Sequence, residues 1–182
     1  MAEAIIGGGR RSAGATNAQI ARLIALLLPL GLLGGALGSQ YLGGLHPCEM
    51  CYWQRWPHGA AILLAALAFS APASSSRSRT LTLLAALAIA ISGAIGVYHA
   101  GVELKVFEGF TTCTSTARAA TTQELLEQLM KVPLIRCDQV QWSFLGISMA
   151  GWNAIISIGS ALVILWLSLR RPRMTIDSAA TA

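Results

Sequence analysis

Four long apolar stretches dominate this chain and constrain its fold more than any other feature. They cover residues 20–40, 53–71, 80–100 and 144–169. A helix needs about 20 mainly apolar residues to cross a bilayer, so each stretch is long enough to span it or nearly so. Only 12% of the residues are charged, whereas soluble domains average about 25%. The sequence therefore predicts an all-α integral membrane protein, a four-transmembrane-helix bundle.

Basic residues near the ends of these stretches predict the orientation of the protein. In a four-span bundle one side collects Arg10, Arg11, Arg22, Arg77, Arg79, Arg170, Arg171 and Arg173. This side is cytoplasmic by the positive-inside rule, which makes residues 1–19 and 170–182 cytoplasmic tails. The first tail is rich in Gly, Ala and Ser and is expected to be disordered. The loops at 41–52 and 101–143 then face the outer compartment. The net charge of +5 follows from this topology and does not indicate nucleic-acid binding.

The first stretch has a second interpretation as a cleaved signal peptide. Residues 36–38 read Ala-Leu-Gly, which resembles a small-x-small cleavage site. The apolar run is longer than the usual signal core of about 7–15 residues, so we expect an uncleaved anchor. Four of its small residues either permit close helix contact or only loosen the helix: Gly31, Gly34, Gly35 and Gly38.

All four cysteines fall in the two outer loops. Cys48 and Cys51 form a C-x-x-C just before the second stretch, and Cys113 and Cys137 lie in the long loop. Disulfides persist in oxidising compartments, so the cysteines agree with the predicted topology. Thiols in a C-x-x-C often have a lowered pKa and undergo redox chemistry. Structural disulfides remain an alternative, and so does a zinc site, although the wide spacing of the second pair is atypical of zinc ligands.

The long loop also carries a helix signal between its two cysteines. Thr121 and Glu124 form a capping box, and Val132-Pro133 ends the run. One face of this segment is apolar: Leu125, Leu126, Leu129 and Met130. We predict a short amphipathic helix that lies on the outer leaflet or packs within the loop.

Three polar side chains are candidate site residues. Arg55 lies four residues after Cys51 and shares its helix face, where it would lower the pKa of Cys51 and bind a carbonyl oxygen of a cofactor. An arginine inside a membrane span is taken as a functional residue by default. The alternative is that Arg55, which lies close to the membrane surface, only extends its side chain to the lipid headgroups. His58 lies on the same helix face, where it either donates a hydrogen bond to the cofactor or only caps the polar cluster. His99 is a proton carrier or an interfacial histidine.

At these residues the chain resembles the DsbB family, four-helix inner-membrane thiol oxidases of Gram-negative bacteria. The first resembling feature is the C-x-x-C followed by Gln54-Arg55, and the second is the outer cysteine pair. Further runs that look like this family are residues 98–103, 136–138 and 144–153. The resemblance extends over about residues 20–169.

The resemblance implies an enzyme, a quinone-dependent protein-disulfide oxidoreductase. It implies that a periplasmic DsbA-like thioredoxin-fold protein attacks a Cys113–Cys137 disulfide at Cys113. Electrons then pass to the Cys48–Cys51 pair and on to ubiquinone or menaquinone, with Cys51 nearest the quinone. Arg55 matches the family arginine at the quinone, and His99 matches less securely. No metal and no nucleic acid are expected.

Two rival classes are a non-catalytic membrane protein with structural disulfides or zinc, and a quinone-linked enzyme of the vitamin K epoxide reductase kind. The latter family places its C-x-x-C in a late helix, whereas Cys48 and Cys51 precede the second stretch.

Overall fold

The computed structural model describes residues 3–109, 121–123 and 136–169, with the backbone alone for residues 3–15. Within these ranges the chain forms four long helices: α1 (Glu3–Tyr41), α2 (Glu49–Ala68), α3 (Ser76–Glu103) and α4 (Met149–Leu169). A small antiparallel ribbon precedes α4: β1 (Ser143–Phe144) and β2 (Ile147–Ser148). The prediction of an all-helical fold is confirmed. The predicted amphipathic loop helix, apart from Thr121 to Gln123, lies outside the described residues.

Three helices are long and apolar enough to cross a membrane. They contain the segments Thr16–Tyr41, Ser76–Glu103 and Met149–Leu169. α2 does not belong to this group, although it has 20 residues. Its first half carries Gln54, Arg55 and His58, which reduce its mean hydropathy. The chain is therefore a multi-pass membrane protein, and α2 as a fourth span stays a prediction.

Small residues bring α3 close to α4. A Cβ built on Gly93 would lie 2.8 Å from a side-chain carbon of Ile158, and one on Gly96 would lie 3.0 Å from the carbonyl oxygen of Ala150. Close backbone approach through small residues is a common way for membrane helices to associate. Alanines fill much of the neighbouring core, where Ile89 and Ile164 are fully buried. This tight α3–α4 contact holds the N-terminal end of α4 beside the C-terminal end of α3.

The glycines of α1 do not make the close helix contacts that were one of their two interpretations. No heavy atom lies within 4 Å of a Cβ built on any of the four: Gly31, Gly34, Gly35 and Gly38. The reason is that this face of α1 is separated from the other helices by an open space, and two of the glycines, Gly31 and Gly35, line it.

Arg22 interrupts the apolar sequence of α1 and binds the C-terminal end of α2. Its guanidinium donates to the carbonyl oxygen of Ala71 at 3.0 Å and to that of Ala68 at 3.5 Å. It also lies 4.4 Å from the ring centroid of Phe69. The last carbonyls of a helix have no intrahelical donor, and a cation is favoured there. Arg22 thus fixes α2 against α1.

The structure contradicts two further expectations. The fourth stretch was expected to be helical from residue 144, but α4 begins at Met149. Leu145 and Gly146 have φ values of 53° and 78°, as a two-residue hairpin turn requires, so the chain forms the ribbon first. The expectation of a disordered first tail is also wrong for residues 3–19, where the backbone of α1 is helical. Once a helix exists, extending it costs little per residue.

Candidate functional site

A cavity of about 690 Å³ lies between α1, the beginning of α2, the end of α3 and the beginning of α4. Five predicted site residues line it: Cys48, Cys51, Arg55, His58 and His99. On the opposite wall Gly31 and Gly35 present no side chains. The structure therefore brings together residues from three helices around one space.

The C-x-x-C begins α2. Cys48 is the N-cap, and its Sγ accepts a hydrogen bond of 3.3 Å from the backbone N–H of Cys51. The two Sγ atoms lie 2.9 Å apart. Cys51 precedes the apolar stretch that starts at Trp53.

The two thiols of this pair differ in acidity. The hydrogen bond from Cys48 lowers the pKa of Cys51, burial opposes this, and Arg55 adds a smaller lowering. The pKa of Cys48 is raised by its hydrogen bonds with Cys137 and Cys51 and by burial. The reduced pair is therefore arranged with the thiolate on Cys51 and the proton on Cys48.

Cys137 joins the first pair. It is buried in one cluster with Cys48, Met50 and Val102, and its sulfur hydrogen-bonds with that of Cys48. Cys113, the fourth predicted cysteine, lies outside the described residues. The contact between Cys137 and Cys48 places a sulfur of the second loop within reach of the C-x-x-C.

An ionic cluster holds the segment that carries Cys137. The Asp138 carboxylate accepts hydrogen bonds from Arg136 at 2.8 and 2.9 Å and is paired with Lys105, just after α3. Lys105 also donates to the Asp138 carbonyl oxygen at 3.0 Å. Arg136 and then Lys105 lower the pKa of Asp138 to about 2. Asp138 is therefore ionised at any physiological pH.

Arg55 reaches across the cavity to α1. It donates to the Gln40 side-chain oxygen at 2.5 Å and to the Ala36 carbonyl oxygen at 3.2 Å. Its guanidinium lies 5.1 Å from the ring centroid of Tyr52. The side chain is thus held within the bundle, at the edge of the cavity, rather than extended freely to the membrane surface.

His99 is buried beside Cys48 and Cys137, with a 2% exposed fraction. Its Nε2 lies 3.5 Å from Cys48 Sγ, and its Nδ1 lies 2.8 Å from Gln54 Nε2. The imidazole also hydrogen-bonds the backbone of Cys137. His99 therefore lies beside the beginning of α2, and its role as a proton carrier stays a prediction.

His58 belongs to a polar cluster one turn deeper. Its Nε2 lies 2.9 Å from Asn153 Oδ1 and 3.0 Å from Ser92 Oγ. Its Nδ1 is buried and has no hydrogen-bond partner among the residues that the structure describes. His58 is thus a buried polar group with one unused nitrogen beside the cavity.

Comparison with known proteins identifies the family. A family model described as Disulfide bond formation protein DsbB matches residues 18–167. This chain belongs to the DsbB family. A relative from Hahella chejuensis named Disulfide bond formation protein B is 31% identical over 87% of this chain and 97% of its own length. Relatives of the same name from Xanthomonas campestris and Xanthomonas oryzae are 26% and 25% identical over 81% and 77% of this chain. No solved structure matches.

Family membership makes this chain a disulfide bond formation protein of the membrane, with disulfide oxidation as the implied activity. The DsbB site also contains side chains to which the sequence assigned no role: Gln54, Ser92, Glu103 and Asn153. Gln54, Ser92 and Asn153 are polar residues inside apolar stretches, and this feature of the sequence could have identified them as site residues. Glu103 lies four residues after His99, with its Oε1 3.8 Å from His99 Nε2.

Three ligand atoms at the DsbB site meet the distance requirement of a metal centre. The Sγ atoms of Cys48 and Cys51 and a ring nitrogen of His99 lie within 4.8 Å of one another. A metal-bound histidine normally donates its second N–H to an acceptor. Here the Nδ1 of His99 faces the amide nitrogen of Gln54, which is a donor. The surroundings of His99 therefore do not fit a metal ligand.

Proposed function

We propose that this DsbB family member is a quinone-dependent thiol oxidase of the bacterial inner membrane. It would reoxidise a periplasmic DsbA-like thioredoxin-fold protein and pass the electrons through two cysteine pairs to ubiquinone or menaquinone. One observation carries the proposal: Cys137 contacts Cys48, and both cysteines of the C-x-x-C line a large cavity that has Arg55 in its wall. The dithiol thus lies next to both a thiol donor and a ligand space.

Thiol exchange accounts for the first half of the reaction. A thiolate of the DsbA-like partner attacks Cys113, forms a mixed disulfide and releases Cys137 as a thiolate. Cys137 then attacks Cys48, which forms a Cys48–Cys137 disulfide, breaks the Cys48–Cys51 bond and releases Cys51 as a thiolate.

A second exchange completes the transfer. The second thiol of the partner displaces Cys113, and the partner leaves with a disulfide. The Cys113 thiolate attacks Cys137 and re-forms the second pair. Cys48 and Cys51 remain as a dithiol that holds the two electrons of the partner. Its reoxidation requires an acceptor of two electrons and two protons, which is the chemistry that a quinone supplies.

The cavity has the properties of a quinone site. Its volume of about 690 Å³ falls in the usual range of roughly 300–1,000 Å³ for small-molecule sites. Gly31 and Gly35 leave open space in the α1 wall for a flat ring, and Arg55 would donate to a carbonyl oxygen of that ring. The buried His58 lines the same space.

The orientation follows from the chemistry of the cysteines. Exchange with a periplasmic partner requires residues 41–52 and 101–143 outside, with both termini cytoplasmic. α2 would then be the fourth span. Its apolar stretch from Trp53, at about 1.5 Å per residue, is nearly long enough to cross the hydrocarbon core.

A trapped disulfide tests the exchange step directly. In the double variant Cys51→Ser/Cys113→Ser only Cys48 and Cys137 remain, and we expect them to form a disulfide on mild oxidation, detected by mass spectrometry of linked peptides. The matched control Cys48→Ser/Cys113→Ser retains Cys51 and Cys137 and should cross-link more slowly. Absence of the Cys48–Cys137 link in a folded variant would refute exchange between the pairs.

Substitution of Arg55 tests the quinone half. Arg55→Ala should raise the KM for a soluble ubiquinone analogue, because a donor to the ring oxygen is lost, while circular dichroism stays unchanged. Arg55→Lys keeps a cation and should recover part of the affinity. An unchanged KM in Arg55→Ala would remove this residue from the site.

The second candidate is a non-catalytic membrane protein with structural disulfides or zinc. The proximity of Cys48, Cys51 and His99 is the observation behind it, although the Gln54 donor at His99 Nδ1 opposes a metal. Redox titration separates the two. Structural disulfides usually have potentials below about −300 mV, whereas an oxidase of a DsbA-like protein must work near −120 mV. Stoichiometric zinc in the purified reduced protein would support the second candidate.

A further inference from the structure

Two buried amide side chains connect the histidines of the site. Gln54 Nε2 lies 2.8 Å from His99 Nδ1 and 3.2 Å from the carbonyl oxygen of Met50. Asn153 Nδ2 lies 2.7 Å from Gln54 Oε1, and Asn153 Oδ1 lies 2.9 Å from His58 Nε2. The chain of contacts therefore runs from Cys48 through His99, Gln54 and Asn153 to His58.

Backbone carbonyls fix the orientation of both amides. A carbonyl oxygen only accepts, so the atom of Gln54 that faces the Met50 oxygen must be the NH₂ group. The atom of Asn153 that lies 3.3 Å from the Ser92 carbonyl oxygen must be its NH₂ group for the same reason. Rotating either amide by 180° would place two acceptors against each other.

The amide orientations in turn determine where each histidine carries its proton. The Gln54 NH₂ donates to His99 Nδ1, so Nδ1 is an acceptor and the hydrogen of a neutral imidazole lies on Nε2. The Asn153 oxygen accepts from His58, so the hydrogen of His58 is also on Nε2, and its buried Nδ1 is bare. One relay thus specifies both tautomers.

We propose that Gln54 and Asn153 are positioning residues that hold both histidines in the Nε2–H tautomer, so that His99 donates a hydrogen bond towards Cys48 Sγ. Cys48 suits this role: its Sγ accepts from the Cys51 N–H, shares a thiol hydrogen bond with Cys51 and lies 3.5 Å from His99 Nε2. The Cys137 backbone and the Glu103 carboxylate, 3.8 Å away, also approach the imidazole. This inference deepens the proposed thiol oxidase and rests on it for its functional meaning. His99 is then a donor to sulfur in the resting site and not a base for the Cys48 proton.

The donor favours the reduced pair. In the reduced pair the negative charge lies on Cys51 and the Cys48 thiol hydrogen-bonds it, so a donor to Cys48 Sγ polarises that thiol and strengthens its bond to the thiolate, whereas the disulfide has no such thiol. The Nε2–H of His99 therefore stabilises the dithiol state more than the disulfide. A variant that moves this hydrogen to Nδ1 should lower the equilibrium constant for reduction of the Cys48–Cys51 pair tenfold, a potential shift of about 30 mV.

The test is the tautomer of each histidine, read from long-range ¹H–¹⁵N spectra of reduced, ¹⁵N-histidine-labelled full-length protein. The chain has 3 histidines, so variants at His46, His58 and His99 assign every signal. In the wild type we expect the hydrogen of His58 and His99 on Nε2. Gln54→Glu replaces the donor by an acceptor and should move the His99 hydrogen to Nδ1. Asn153→Leu should affect His58 alone, because the Met50 carbonyl still orients Gln54.

Controls separate positioning from general effects. Gln141 lines the same cavity but has no place in the relay, so Gln141→Glu adds a charge and should leave both tautomers and the potential unchanged. Gln54→Met removes the donor without adding an acceptor and should give His99 in both tautomers. Two results would overturn the inference: a wild-type His99 with its hydrogen on Nδ1, or an unchanged His99 tautomer in a folded Gln54→Glu variant. These measurements need neither partner nor quinone, so loss of the oxidase proposal would leave their outcome intact.

Discussion

Filling the cavity from the glycine wall should block the ligand and leave the protein folded. Gly35 lines the cavity, and no heavy atom lies within 4 Å of a Cβ built on it. A leucine at this position would extend into open space and contact no protein atom in its first bonds. Replacing a helical glycine also favours the helix by up to about 1 kcal/mol. Gly35→Leu should therefore be at least as stable as the wild type.

The loss of ligand affinity can be estimated from the apolar area that a leucine side chain buries. A fully buried leucine side chain is worth about 1.5–3 kcal/mol of apolar contact, and a ligand that shares the cavity with it loses a similar contact. Each 1.4 kcal/mol is a factor of ten in affinity. We expect the Kd of a soluble ubiquinone analogue to rise roughly 10- to 100-fold in Gly35→Leu.

Gly34→Leu provides a matched control. Gly34 has the same open surroundings and lies one position earlier in α1, but it does not line the cavity. Its quinone affinity should match the wild type. Binding is measured by tryptophan fluorescence quenching and stability by thermal unfolding in detergent, both without turnover. Equal quinone affinity in Gly35→Leu and Gly34→Leu would refute the assignment of the cavity as the quinone site.

Three further predictions concern the structure around the site. Arg22→Ala removes the donor to the end of α2 and should lower the free energy of unfolding by on the order of 2 kcal/mol in detergent, with Arg22→Lys intermediate. Cys48→Ala should slow alkylation of reduced Cys51 near pH 7, because the hydrogen bond that lowers the pKa of Cys51 is lost, and Cys48→Ser should restore the rate. The pKa of Asp138 is lowered to about 2, so its ion pairs persist above its unfolded pKa and weaken only as the pH falls towards 2. Labelling of Cys137 as the single cysteine should therefore rise several-fold in Asp138→Asn at pH 7, and an unchanged rate would mean that the ionic cluster does not hold this segment.

The membrane helices could be predicted because hydropathy is a local property of the sequence. The stretches at 80–100 and 144–169 correspond to α3 and α4, and the C-x-x-C appears at the N-terminal end of α2 as its spacing indicated. The ends of the helices were less predictable. The start of α4 depends on left-handed conformations at Leu145 and Gly146, which an apolar run does not reveal.

The site was predictable where residues share one helix, and much less so between helices. Spacing along α2 placed Cys51, Arg55 and His58 on one face. The role of Gln54 could not be predicted, because its partners His99 and Asn153 come from α3 and α4 and only tertiary packing brings them together. The open surroundings of the α1 glycines likewise depend on where the other helices lie.

The central claim is that this protein transfers electrons from a thiol protein to a quinone. The most direct test mixes the purified protein with a reduced DsbA-like thioredoxin-fold protein and a soluble ubiquinone analogue, and follows the loss of quinone absorbance. The account predicts catalytic loss, one quinone for each partner disulfide formed, and none with Cys51→Ser or Cys113→Ser. No turnover by a folded protein whose four cysteines stay oxidised or hold zinc would contradict it.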